Sequence, residues 1–158
     1  MRLDPISEEA VARIALAMRP ADAAEIFAVR WRRDPLRLAQ ELATIARIGV
    51  VGTTDDGTPV CVLCAVEMTP GLFSLGFFAT DAWPAIARSF TRWARTEFKS
   101  MLLGAGGRRA EVWTHDAHTW AHRWLRHFGF RAETAPLTRG RNGERYMLFG
   151  WEVGRDEV

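Results

Sequence analysis

Residues 115–130 read HDAHTWAHRWLRHFGF. Ala117, Trp120, Ala121, Trp124, Leu125 and Phe128 recur at i, i+3, i+4, i+7, i+8 and i+11, which is an apolar stripe along one helix. Asp116 stands where a side chain caps the first turn. Gly129 follows the last apolar turn, where a left-handed residue closes a helix, and Phe130 opens an apolar strand running to Ala135.

Working back towards the amino terminus, Arg109 to Thr114 reads as the strand feeding this helix. Before it, Pro84 to Leu103 is helical, with Ala87, Phe90, Trp93, Ala94, Phe98 and Met101 on one side, and Gly104 to Gly107 ends it. Three β-branched and apolar runs precede that helix: Ile48 to Thr54, Pro59 to Met68 and Leu72 to Thr80. Asp55-Asp56-Gly57 and Pro70-Gly71 separate them, the pattern of a meander. The first third is helical. Ser7 caps a run from Ile6 to Met18, Asp22 to Trp31 forms a second short helix after Pro20, and Asp34-Pro35 starts a third through Ala46. Working forward from Phe130, a last strand spans Arg145 to Val153 after the turn Arg139 to Gly143.

The chain of 158 residues, 48% hydrophobic, suits one domain spanning residues 1–158, with a flexible tail expected after Val153. A net charge of +2 argues for no particular polyanionic partner. Twenty of the 21 basic residues are arginine, Lys99 being the single lysine. With two cysteines and no cationic leader ahead of an apolar run, a disulfide-built protein secreted by a signal peptide is not expected. No apolar run reaches the roughly eighteen residues of a membrane span. Cys61 and Cys64, three apart in a strand, point to opposite faces and read as core thiols rather than a redox pair.

Helices, three antiparallel strands, a helix, a strand, a helix ending in Gly129-Phe130, and two closing strands make an order that resembles the GNAT (Gcn5-related N-acetyltransferase) fold. The fold class implied is α/β (α+β), a mixed, mostly antiparallel sheet flanked by helices. Met18-Arg19-Pro20-Ala21-Asp22 running into Ala24-Glu25-Ile26, with Asp56-Gly57-Thr58-Pro59-Val60 later, resembles more closely a family of GNAT-like proteins of short-tailed bacteriophages. Those are described as virion-internal or virion-assembly proteins. That resemblance implies partners among phage structural or ejection proteins, and a location in the virion or the host cytoplasm.

GNAT enzymes hold the pyrophosphate of acetyl-CoA on a glycine-rich loop after the fourth strand, where backbone N–H groups approach the oxygens. The matching segment, residues 79–86, reads ATDAWPAI. It has no glycine, Pro84 lacks an N–H, Asp81 is negative and Trp83 is bulky, so acetyl-CoA binding is expected to be degraded. The tyrosine acid common four residues before the Gly-Phe pair is replaced by Leu125, and an asparagine common seven residues before that is replaced by His118. The remaining candidates are Glu67 as general base, against a strand-end charge facing water, and Tyr146, the sole tyrosine, as acid, against a wall residue. The backbone of Phe77 and Phe78, and His118, are candidates for holding the cofactor.

His115, His118 and His122 invite a metal reading because i and i+4 histidines share a helical face, but no third carboxylate or thiol ligand is near in sequence, and no metal is expected. Polar histidines on the outer side of the helix are the alternative. Arg88, Arg92, Arg95 and Lys99 at i, i+4, i+7 and i+11 make a basic helix face, either solvated or a grip for nucleic acid, which Arg108, Arg109, Arg139 and Arg141 would extend if they lay nearby. Three functions remain open: a virion component, an acetyl-CoA-dependent N-acetyltransferase acting on an amine, and a nucleic-acid binder.

Overall fold

The computed structural model describes residues 1–154; the tail expected after Val153 falls mostly on residues 155–158, outside the described residues. Ser7 Oγ accepts from the Ala10 N–H and starts helix α1 (Glu8–Leu16), while Asp34 Oδ1 accepts from the Arg37 N–H and starts α3 (Pro35–Ile45). Between them Pro20 occupies the first turn of α2 (Pro20–Ala28), where its missing N–H costs nothing. Strands β2 (Ile48–Thr53), β3 (Pro59–Thr69) and β4 (Leu72–Ala79) form the expected meander. Gly57 and Gly71 take φ of 87° and 81° in its two turns. A four-residue strand, β1 (Arg2–Pro5), pairs antiparallel with β2 and was not expected. It is too short to show alternation, and Pro5 suits only an edge.

After β4 comes a turn of 3₁₀ helix (Trp83–Ala85), then α4 (Ala87–Trp93), a π turn (Ala94–Phe98) and α5 (Lys99–Gly104). The π turn carries an extra residue and rotates the buried stripe, so that Phe90, Ala94, Phe98 and Leu102 face inward at steps of four. Met101, expected in that stripe, is exposed instead. Strand β5 (Arg109–His115) leads to α6 (Thr119–His127), and β6 (Arg131–Ala132), β7 (Leu137–Thr138) and β8 (Arg145–Glu152) follow. The strand expected from Phe130 to Ala135 is thus reduced to two residues.

Helix α6 closes as the glycine demanded. Gly129 has φ 85°, its N–H bonds to the Arg126 carbonyl and the Phe130 N–H to the Leu125 carbonyl, with Leu125 and Phe130 both buried. Its start differs from expectation. Asp116 does not cap it; His118 holds that position, because residues 115–118 are first spent turning out of β5.

The sheet order is β1-β2-β3-β4-β5-β8-β6, with β7 also on β8, and among the described residues the single parallel pair is β4 with β5. One face packs on α1, α2 and α3 through Val51, Val62, Cys64 and Phe78; the other packs on the α4, α5 and α6 side through Cys61, Leu63, Phe73 and Phe149. Cys61 and Cys64 therefore do face opposite layers, and burial pushes both thiols up to about 12. No helix among the described residues is long and apolar enough to cross a membrane.

Candidate active site

β4 and β5 are paired only over Leu72–Ser74 and Arg109–Glu111. Beyond that the two strands part and leave a cleft of about 330 Å³, walled by Leu75, Phe77, Thr114, His118, Trp120 and Tyr146, among others. The Ala79 N–H donates to Asp22 and its carbonyl accepts from the Arg19 N–H, while the Thr80 N–H bonds back to Val60 on β3. Since backbone groups alternate in direction along a strand, the N–H and C=O of Phe77 and Leu75 also point away from β3, to the open edge. The side chain of Phe77 packs with Trp83, Phe90 and Trp124, whereas that of Phe78 is buried against the helices of the other face.

Helix α2 closes one end of the cleft with charged groups. Asp22, 2% exposed, takes Arg19 in a bidentate pair at 2.7 to 3.0 Å and the Ala79 N–H at 2.9 Å. Burial pushes the Asp22 carboxyl up, against the pull of Arg19. One turn on, Glu25 accepts the His115 N–H at 2.5 Å and lies 2.6 Å from His118 Nδ1, while its backbone carbonyl accepts the Tyr146 hydroxyl at 2.5 Å. Burial works to raise the Glu25 carboxyl, but the bonds from His118 and the His115 N–H outweigh it and hold it below the usual range. A single glutamate thus ties α2 to β5, α6 and β8.

A second, open groove of about 920 Å³ lies between α4 and α6. Arg88, Arg92 and Arg95 from one side and Arg123 from the other line it, with Trp83, Trp120, Trp124 and His127. Trp120 and Trp124 belong to the walls of both groove and cleft. In the segment expected to meet pyrophosphate, the N–H groups of Trp83, Ala85 and Ile86 bond to the carbonyls of Thr80, Ala82 and Trp83, and the Ala82 N–H to the Thr80 hydroxyl. Trp83 is buried. The N–H groups of Trp83, Ala85 and Ile86 are thus engaged, and the charge available to an anion on this side is that of the guanidinium groups.

No protein-family model and no curated protein matches the chain. Solved structures do. A phosphinothricin acetyltransferase of the GNAT superfamily from Sinorhizobium meliloti, in complex with acetyl-CoA, has a TM-score of 0.74 at 13% identity, covering 97% of this chain and 88% of that one. A GCN5-related N-acetyltransferase from Kribbella flavida gives 0.69 at 15% identity, covering 96% and 97%. The ribosomal-protein-S5-alanine acetyltransferase from Vibrio fischeri gives 0.68 at 13%, covering 97% and 93%. The fold is that of the GNAT superfamily.

On the GNAT frame the sequence candidates scatter. Glu67 sits at the end of β3 away from the cleft, its Oε1 accepting the Gly71 N–H at 3.0 Å and its Oε2 paired with Arg47 at 3.0 Å. Tyr146 lines the cleft, but its hydroxyl is engaged by Glu25 and burial pushes it up to about 12. Phe77, Phe78 and His118 all border the cleft. The histidines are not on the outer side of α6: His118 and His122 are 8% and 6% exposed. Their burial is balanced by polar partners, Glu25 for His118 and the His115 carbonyl for His122, whose Nε2 donates at 3.0 Å. Burial moves His122 below its ordinary value.

The basic face is also rearranged. Lys99 turns to the Trp151 ring at 4.7 Å, and Arg123 takes its place in the groove. Arg108 and Arg109 lie at the base of β5, and Arg139 stacks on Trp113 at 3.9 Å on the far side of the cleft. Asp22 and Glu25 were missed as site residues. Their signal was two carboxylates at i and i+3 in a short helix whose neighbours are apolar.

Proposed function

We propose that the chain is an acetyl-CoA-dependent N-acetyltransferase. The observation carrying this reading is that an arginine-lined groove adjoins the cleft at the open edge of β4, the two sharing Trp120 and Trp124 as walls. Phosphates of the thioester substrate would be met by Arg88, Arg92, Arg95 and Arg123 rather than by glycine backbone, since guanidinium groups bind phosphate bidentately. The N–H and C=O of Leu75 and Phe77 would hold the amide-bearing arm as an added strand. The thioester would then lie in the cleft beside His118 and Glu25. The likeness to a GNAT structure containing acetyl-CoA supports the same reading.

Direct transfer needs mainly that two reactants be held together, and a site that aligns them supplies much of the barrier lowering. The test is release of CoA thiol from acetyl-CoA in the presence of an acceptor set: the common L-amino acids, spermidine, and peptides with free amino termini. Acceptor-dependent thiol release with an acetylated product is expected. Binding of acetyl-CoA with no transfer to any of these would reduce the reading to a cofactor-binding scaffold.

A second reading, a virion component of a short-tailed phage acting through protein contacts, rests on the resemblance of residues 18–26 and 56–60. One feature favours a contact surface: Trp31 is 100% exposed in the loop after α2, beside Arg30 and Arg32. Co-purification with particles or with ejection proteins would support it. Asp22 and Glu25 of that motif border the cleft, which suits an active site equally well.

A further inference from the structure

We propose that His118, backed by Glu25, is the general base that takes the proton from the acceptor amine; this rests on the acetyltransferase reading. His118 opens α6 and is 8% exposed in the cleft wall. Its Nδ1 lies 2.6 Å from Glu25 Oε2, and an ionised carboxylate only accepts, so Nδ1 carries a proton and, in the neutral ring, Nε2 is the nitrogen with the lone pair. That Nε2 is buried without a hydrogen-bond partner among the described residues. Asp22 Oδ1 is 3.8 Å away, beyond hydrogen-bond reach, and both Asp22 oxygens are occupied by Arg19 or the Ala79 N–H.

A basic nitrogen oriented by a carboxylate and left without a partner is the arrangement of a base awaiting its proton donor. The other candidates are spent. Glu67 is engaged outside the cleft, and the Tyr146 hydroxyl is bonded to the Glu25 carbonyl. Charged or titratable groups facing His118 are Arg19, Asp22 and Glu25 from the α2 side, His122 one turn along α6, His115 at the end of β5, and Tyr146 on β8.

The acceptor enters as an ammonium. One proton passes from its nitrogen to Nε2, giving an imidazolium stabilised by the Glu25 carboxylate. The freed lone pair attacks the thioester carbonyl carbon; the C–N bond forms, the C–S bond breaks, and the sulfur leaves with the electron pair. A second proton from the nitrogen goes to the thiolate, yielding amide and thiol, and His118 returns its proton to solvent.

Two readouts test this. In imidazole ¹⁵N spectra recorded across a pH series, with His118 assigned by its loss in His118→Gln, the neutral ring is expected to carry its proton on Nδ1 and none on Nε2; a neutral ring with its proton on Nε2 overturns the proposal. In the transfer assay, His118→Ala and His118→Gln should each lower kcat about 10²- to 10⁴-fold and remove the acid limb of the pH profile. Acetyl-CoA affinity should be retained. Glu25→Gln should also lower kcat, because the tautomer of the ring is no longer fixed, and should move any remaining acid limb to lower pH, since the charge favouring the imidazolium is gone. Rates within about threefold of wild type with the limb intact in both His118 variants overturn the base while leaving the acetyltransferase standing. A wild-type protein that acetylates nothing in the acceptor set fails both.

Discussion

Replacing Arg19 with methionine keeps an aliphatic stem near Trp120 and Phe77, over which the guanidinium lies at 4.7 and 6.0 Å, and removes the charge. Asp22 then loses its contacts to Nε and Nη2 of Arg19 and retains the Ala79 N–H as its hydrogen-bond donor, with His118 Nε2 3.8 Å away. Its side chain is 3% exposed, so water cannot substitute. Removing one partner of a buried ion pair costs about 3–5 kcal/mol. At about 2–4 °C per kcal/mol for a domain of this size, the melting temperature should fall by roughly 6–20 °C. The pH dependence has a definite sign. Burial already raises the Asp22 carboxyl in the folded state, and losing Arg19 raises it further, so the folded state binds this proton more tightly than the unfolded one. Between the ordinary carboxylate value and the raised one, stability of the variant therefore increases as pH falls. Urea unfolding at neutral pH and near pH 5 should show the deficit shrinking at the lower pH, and Arg19→Met with Asp22→Asn should recover part of it. A deficit below about 1 kcal/mol at neutral pH, or one that grows on acidification, would refute the reasoning.

Gly129→Ala forces an L-residue into φ 85° and should cost about 1–2 kcal/mol, read as a melting-temperature drop of roughly 2–8 °C. Gly104→Ala, in α5 with open space around the added Cβ, should change stability little or improve it by up to about 1 kcal/mol. Arg92→Glu combined with Arg123→Glu should leave the exposed helix faces folded and weaken acetyl-CoA binding by about tenfold or more per lost charged contact, with a shallower salt dependence, checked by calorimetric titration.

What the sequence disclosed was whatever local chemistry decides. Ser7 and Asp34 cap the helices they precede, Gly57 and Gly71 turn the meander, and Gly129 closes α6 with Leu125 and Phe130 beneath it. Element order followed from these, and the fold from the order. The π turn at Ala94–Phe98 was illegible because nothing in residues 87–104 distinguishes a step of four from an alternating step of three and four. β1 exists only because β2 offers an edge. The site failed for a related reason. Glu25 meets His118 across 93 residues and Asp22 meets Ala79 across 57, so their burial depends on contacts no local window contains. The histidines looked like an outer face because Trp120 and Trp124 dominate the apolar count of α6, yet both indoles are only partly buried at the groove while His118 and His122 turn inward to polar partners. Trp83, read as an obstruction in the loop, is packed into the cluster of Phe77, Phe90 and Trp124.

The most direct test is thermal unfolding of the protein with and without acetyl-CoA. At a hundredfold excess over its dissociation constant the ligand adds about 2.7 kcal/mol, a rise of roughly 5–11 °C at this size. A saturable rise of that order, lost in the Arg92→Glu, Arg123→Glu variant, is the predicted result. An unchanged melting temperature at millimolar acetyl-CoA would contradict the acetyltransferase account.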